Sequence, residues 1–188
     1  MKNYIVASVS PRRRELLGEL GITPAVCPTD ADETIEEKLT PDKFVRVLSK
    51  RKADAYTGEL GEEDILITAD TVVALGDEIL GKPTDPQNAF DMLKSLSGHC
   101  HSVYTGVTVK SKDKTVTACD ETKVIFREMT DDEIWAYVNS GDPMDKAGAD
   151  GIQGEAGRVV SAIEGSLNNV IGLPTELLKE ILTTEFNV

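Results

Sequence analysis

Long apolar runs are missing from this chain: no uninterrupted stretch approaches the roughly 20 residues that a bilayer-crossing helix needs. Its opening, MKNYIVASVSPRRR, couples a short apolar stretch directly to arginines and lacks the small-residue cleavage site of a signal peptide, so a cytoplasmic protein away from membranes is expected. Cysteine is scarce as well. Cys27, Cys100 and Cys119 are odd in number and show no CxxC spacing, which speaks against a disulfide framework or a zinc site and leaves them as semi-buried small hydrophobes. Positive charge is in short supply, with 20 Lys and Arg against 33 Asp and Glu for a net charge of -13. Such a surface repels polyanions, and no stripe of interleaved aromatic and basic residues offsets it, so nucleic acid is not an expected partner. Histidine is limited to His99 and His101. They lie one apart in an expected strand, would share a face, and lack a clear third ligand, so both are read as structural.

What the chain does have is enough apolar material for a well-cored unit, since 40% of its 188 residues are hydrophobic and 28% charged. No repeat or low-complexity linker divides it, and residues 1–188 are read as one domain. Tyr4 to Ala7 reads as a buried strand. Ser10 then suits a helix N-cap and Pro11 the first helical position, with Leu16, Leu17 and Leu20 inward and Gly21 as the stop. A short strand is expected at Ala25 to Cys27, and a second helix opens at Thr40-Pro41 and runs to about Tyr56. Asp64 to Ala69 is a continuous apolar strand, extended beyond Asp70 by Thr71 to Leu75. Asp85-Pro86 opens a third helix, and Thr130 with Glu133 forms the capping box of a fourth. His101 to Val109 and Thr115 to Phe126 read as an antiparallel hairpin, Val159 to Ile163 as a strand, the run after Asn169 as strand-like, and Pro174 as the start of a last helix. Alternating strands and helices interrupted by a hairpin predict an α/β fold with a mixed sheet flanked by helices.

In an acidic chain the position of the cations matters most. Ser8 to Arg14, SVSPRRR, falls at a strand-to-helix junction, where free amides and the positive end of the helix dipole suit a phosphate. Three arginines there oppose the dipole unless an anion is present. Successive helical residues point about 100° apart, so Arg12 and Arg13 are expected to face the cleft and Arg14 to be solvated. Lys52 falls four residues after Leu48 on the stripe formed by Phe44, Val45, Leu48 and Ala55, and must either snorkel or find an anion. Asp70 follows a strand expected to be central, and ligands gather at the carboxyl ends of such strands; it can hold a divalent ion, take a proton from water, or simply shape a turn. Gly81-Lys82-Pro83 presents a lysine on a tight loop, either as a phosphate clamp or as a plain hairpin exit. In Asp145 to Gly154, DKAGADGIQG, three glycines surround Gln153, whose amide carries the donors and acceptor needed to read a base edge. The cluster Asp30, Asp32 and Glu33 is either a solvated surface or, through Glu33, a source of metal ligands. Gly165 to Asn169 either lines the cleft or makes a turn.

Taken in order, ASVSPRRRELL, DADET, SKRKA, ADTVV, GKP, YTGV, DKAGADGIQG and GSLNNVIGLP resemble the Maf family of nucleotide pyrophosphatases along nearly the whole chain. The resemblance implies an elongated mixed sheet in two lobes around a central cleft, and commonly a homodimer. It implies divalent-metal-dependent hydrolysis (Mg²⁺, or Mn²⁺ or Co²⁺) between the α and β phosphates of a nucleoside triphosphate. In the family the aspartate matching Asp70 is taken as proton acceptor, and positions matching Ser8, Arg13, Glu33, Lys52 and Lys82 line the phosphate and metal region; Glu33 is expected to help hold the metal, with Asp70 as base, metal ligand or both. Arg12, Thr71 and Gln153 match the pattern of members that cut dTTP and UTP; members directed to 7-methyl-GTP differ there. The family is also linked with septum formation, and purine pyrophosphatases share its architecture. One departure is Asp150, where many members carry tyrosine.

Overall fold

The structure, a computed structural model, describes residues 1–141 and 159–188. Its centre is a strand of unusual length. β3 (Asp64–Leu75) runs for 12 residues, beside β5 (Cys100–Lys110) and β6 (Thr115–Phe126), so the sheet extends for about 40 Å along its strands. Around these lie β1 (Asn3–Val6), β2 (Ala25–Val26), β4 (Glu78–Leu80) and β7 (Val160–Glu164). The order is β2-β1-β3-β5-β6-β7, with β4 also on β3. β1 pairs parallel with β2 and β3; the β3–β5–β6–β7 run and the β3–β4 pair are antiparallel. The mixed sheet and the hairpin of β5 and β6 agree with the sequence reading.

Helix starts are set by side chains acting locally. Ser10 caps α1 (Pro11–Glu19) by accepting from the Arg13 amide at 3.4 Å. Asp85 caps α3 (Pro86–Leu96) through the Asn88 amide at 2.7 Å, and Thr130 caps α4 (Asp131–Asn139) through the Glu133 amide at 3.2 Å. α2 (Pro41–Asp54) starts where expected, although the Thr40 hydroxyl donates to Asp42. α5 (Leu167–Ile171) is short and capped by Ser166, and α6 (Thr175–Phe186) follows Pro174.

Such a long sheet cannot be covered by one core. One apolar cluster gathers Leu16, Leu17, Ile67, Ala69, Val107, Val109, Leu178 and Ile181 under α1 and α6. A second gathers Val73, Leu93, Val103, Val124, Phe126 and Ile134 under α3 and α4. Phe90 and Trp135, from those two helices, stack with ring centroids 4.5 Å apart. On β3, the step from Ala69 to Val73 is the step from one cluster to the other. Asp70 and Thr71 therefore sit between two lobes.

α2 lies across β3, β5 and β6 through a largely polar seam: Thr68 donates to the Ser49 carbonyl at 2.6 Å, and Ser49, Thr108 and Thr117 hydroxyls follow one another at 3.0 and 2.9 Å. Gly106 permits this approach. A Cβ there would stand 2.9 Å from the Arg46 nitrogen and nearer still to the Val45 carbonyl group, so the helix backbone rests directly on the strand.

Four local expectations are corrected. Asp70 is not at a strand end but seventh of the 12 residues of β3. The run after Asn169 is helical, because Ser166 caps it and its backbone closes α5 rather than joining the sheet. Ala53 rather than Ala55 is the fully buried alanine of α2. His99 precedes β5 and is exposed whereas His101 is buried against Phe126, so the two share no face.

Candidate functional site

The cleft originates in how β3 is paired. β1 ends at Val6 opposite Ile67, with one further bond from the Ala7 amide to the Ile67 carbonyl, and β4 ends at Leu80 opposite Val73. Between them, residues 68–72 have a sheet partner on the β5 side alone among the described strands. The edge is left open beside the carboxyl end of β1, and from there the chain enters Ser8-Val9-Ser10 and α1. The opening thus lies at the carboxyl end of β1, the neighbour of the strand that carries Asp70.

A hollow of about 470 Å³ opens there, lined by Ser8, Arg12, Arg13, Lys52, Lys82 and residues around them. Two others of about 450 and 420 Å³ are similar in size, so charge distinguishes them. One of these is bordered by Asp32, Glu36 and Glu37 with Arg51, the other by Asp30 with no cation. Only the first of the three offers four cations to an anion. The start of α1 adds to this preference. Its first turn holds no acidic residue, in contrast to the three acids that open α4, so the positive end of its dipole is left for an external anion.

Arg13 is held firmly. Its Nε donates to the Gly172 carbonyl at 2.8 Å, Nη2 to Thr71 Oγ1 at 3.1 Å, and Nη1 reaches Ser8 Oγ at 3.5 Å. Burial pulls its guanidinium below the ordinary value; Asp70 opposes this and Arg12 adds to it. The group remains a cation. Arg12 is partly buried on the wall of the hollow while Arg14 is exposed, as the helical geometry requires.

Lys52 finds anions rather than snorkelling. Its ammonium donates to Asp70 Oδ1 at 2.8 Å, approaches Glu33 Oε1 at 3.1 Å, and reaches the Ala69 carbonyl at 3.4 Å. Asp70 and Lys52 side chains are 12% and 18% exposed, so this is a partly desolvated pair, whereas Glu33 at 58% stands on the rim. Lys82 is exposed beside the same hollow.

The model of the family described as Maf-like protein matches residues 3–185. The chain belongs to the Maf family. Among relatives of this Maf chain, a protein of Thermoanaerobacter sp. (strain X514) named dTTP/UTP pyrophosphatase is 47% identical over 186 residues, covering 98% of this chain and 97% of the relative. A protein of the same name from Pelotomaculum thermopropionicum is 45% identical, covering 97% and 96%. Another, from Bacillus cereus (strain ATCC 10987 / NRS 248), is 43% identical, covering 100% and 92%.

Of the residues singled out in the Maf sequence, Ser8, Arg12, Arg13, Lys52 and Lys82 border one hollow, and Asp70, Thr71 and Glu33 are tied to it through Lys52 and Arg13. Gln153 and Asp150 lie outside the described residues. The sequence reading missed Thr29, whose hydroxyl donates to the Lys52 carbonyl at 3.1 Å, and the carbonyl of Gly172 that orients Arg13. A threonine two residues after the strand at Ala25 carries no pattern that marks it, and a carbonyl leaves no trace in residue type. No helix among the described residues is long and apolar enough to cross a membrane.

Proposed function

We propose that this chain hydrolyses dTTP and UTP to the corresponding monophosphate and pyrophosphate. The observation that carries the reading is the convergence of Arg12, Arg13, Lys52 and Lys82 with the start of α1 on one hollow, next to the Asp70 carboxylate, in a chain whose net charge is -13. The names of the Maf relatives support the choice of substrate. The triphosphate brings about four negative charges, which these cations orient against the dipole of α1.

Asp70 Oδ1 is taken by Lys52, which leaves Oδ2 to accept a proton from water. That water attacks the α-phosphorus, the α–β bridging bond breaks, and pyrophosphate leaves with the electron pair against the cationic wall. Lys52 holds Asp70 in place and sits where charge builds up.

The donor set fits a hard divalent cation. Asp70 and Glu33 already converge on a single ammonium at 2.8 and 3.1 Å, and Mg²⁺ is commonly held by one or two carboxylates plus substrate phosphate oxygens. No group of three or more His, Cys, Asp or Glu suited to a metal occurs among the described residues, so nucleotide oxygens would complete the shell. When bound, the ion neutralises phosphate charge and polarises the phosphoryl oxygens. Mg²⁺ is the proposed ion, with Mn²⁺ or Co²⁺ as substitutes.

The test is a panel of UTP, dTTP, ITP and 7-methyl-GTP assayed for pyrophosphate release with and without Mg²⁺. Release confined to UTP and dTTP and dependent on Mg²⁺ is expected. Preference for a purine nucleotide would overturn the substrate assignment.

A further inference from the structure

Two stretches of the chain, YTGV around Thr105 and GSLNN around Asn169, meet behind the hollow. Thr105 on β5 stands opposite Thr71 in the sheet register and is fully buried. Its hydroxyl donates to the Asn169 carbonyl at 3.0 Å and lies 2.8 Å from Thr71 Oγ1, the atom that accepts from Arg13 Nη2 at 3.1 Å. Both ends of this row fix its direction, because a guanidinium only donates and a carbonyl only accepts. Arg13 donates to Thr71, the Thr71 hydroxyl to Thr105, and the Thr105 hydroxyl to Asn169. Hydroxyls that each donate onward polarise one another and strengthen the whole row.

The far end of the row is anchored. Asn169 is fully buried, and its Nδ2 donates to the Val103 carbonyl at 3.0 Å, to Thr122 Oγ1 at 3.1 Å and to the Asp120 carbonyl at 3.4 Å. These bonds pin α5 to β5 and β6. The end of α5 delivers Gly172, whose φ of 139° suits glycine and aims its carbonyl at Arg13 Nε, 2.8 Å away. Two N–H donors of the Arg13 guanidinium, Nε directly and Nη2 through Thr71 and Thr105, thus refer back to the same short helix.

We propose that Thr105 is a positioning residue for the phosphate-binding guanidinium of Arg13, acting through Thr71 with Asn169 as its anchor. The proposal rests on the reading of Arg13 as a phosphate ligand. With Nε and Nη2 committed to protein acceptors, the guanidinium plane is fixed and its remaining N–H groups face Ser8 and the hollow. A fixed plane is what fork-like recognition of phosphate oxygens requires. Removing the Thr105 hydroxyl frees Thr71 to turn and leaves Arg13 held at Nε by Gly172, with only the longer 3.5 Å contact of Nη1 to Ser8 beside it.

Thr105→Val keeps the size of the side chain and removes the hydroxyl, whereas Thr105→Ser keeps the hydroxyl. Both are compared with wild type, Arg13→Lys and the Arg13→Lys/Thr105→Val double variant for dTTP turnover, with thermal melts on each. Thr105→Val is expected to lose ~10-fold in kcat/KM, a modest share of what an ångström of misplacement costs. Thr105→Ser is expected to stay within about threefold, and the double variant to match Arg13→Lys alone, because residues that act through one another do not add. A folded Thr105→Val with wild-type kcat/KM, a serine that fails to restore it, or a valine loss that multiplies undiminished on Arg13→Lys overturns the proposal. Wild-type kcat/KM in Arg13→Lys would instead remove Arg13 from phosphate binding, a separate failure. If Thr105→Val does not fold, Thr105→Cys, with its weak donor, replaces it in the same cycle and is judged by the same outcomes.

Discussion

Replacing Gly106 with alanine is the most direct challenge to the link between fold and site. The added Cβ would lie 2.5 Å from the Val45 carbonyl carbon, against ~3.5 Å for unstrained non-bonded carbons. The obstacle is helix backbone, which no rotamer change can move, so α2 must withdraw from β5 by roughly 1 Å. Overpacking of this kind costs about 1–3 kcal/mol, or roughly 3–10 °C in Tm for a domain of this length. Val45 and Lys52 are two turns apart and share the face of α2 toward the sheet, so the displacement carries to the ammonium that holds Asp70. Misplacement on that scale costs up to ~10²-fold in turnover. Gly106→Ala is therefore expected to lower both Tm and kcat for dTTP, read by calorimetry and by pyrophosphate release. A variant that melts and turns over like wild type would refute the claim that this close approach positions Lys52.

Asp70→Asn keeps the shape of the side chain but not its basicity and should lose ~10²-fold or more in kcat; unchanged turnover would remove Asp70 as proton acceptor. Burial holds the Asp120 carboxyl above the ordinary range, with Glu176 and Glu121 adding to the shift. The folded state therefore favours its protonated form, the penalty is complete above the folded pKa, and it vanishes below the unfolded one. Asp120→Asn can still accept from the Glu121 amide and should melt above wild type at neutral pH, with the gain fading as pH falls; a gain that persists in acid would contradict this. Cys100 is exposed and is not among the residues that line the hollow, so its alkylation should leave dTTP turnover unchanged, with activity loss after modification of Cys100 alone as the contrary result. Burial pushes the Cys119 thiol up to about 11, so Cys119 should resist the same reagent near neutral pH, as peptide mapping would show.

Much of this architecture was readable where chemistry is local. Ser10-Pro11, Asp85-Pro86 and Thr130 mark helix starts because a cap and the residue after it are decided within one turn. The cations of the site were readable for another reason: arginines at a helix start and a lysine on an apolar stripe conflict with their surroundings until an anion resolves the conflict. What the sequence hid depends on register. Asp70 interrupts an apolar run and therefore looks like a strand end, yet β5 pairs straight past it, and only the mismatch between short β1 and long β3 shows why a carboxylate belongs there. α5 was misread because Val170 and Ile171 favour strands by composition, while Ser166 and the anchoring of Asn169 favour a helical turn.

The interrupted pairing of β3 also bears on what can approach its edge. From Ile67 to Val73 the edge, unpaired among the described strands, spans about 20 Å, long enough to template a foreign strand. Its approaches are guarded by Lys52, by the arginines of α1 and by Pro28, features that obstruct an incoming backbone but not a small flexible anion. A gap in strand pairing with such a rim suits a small anion better than another polypeptide's strand.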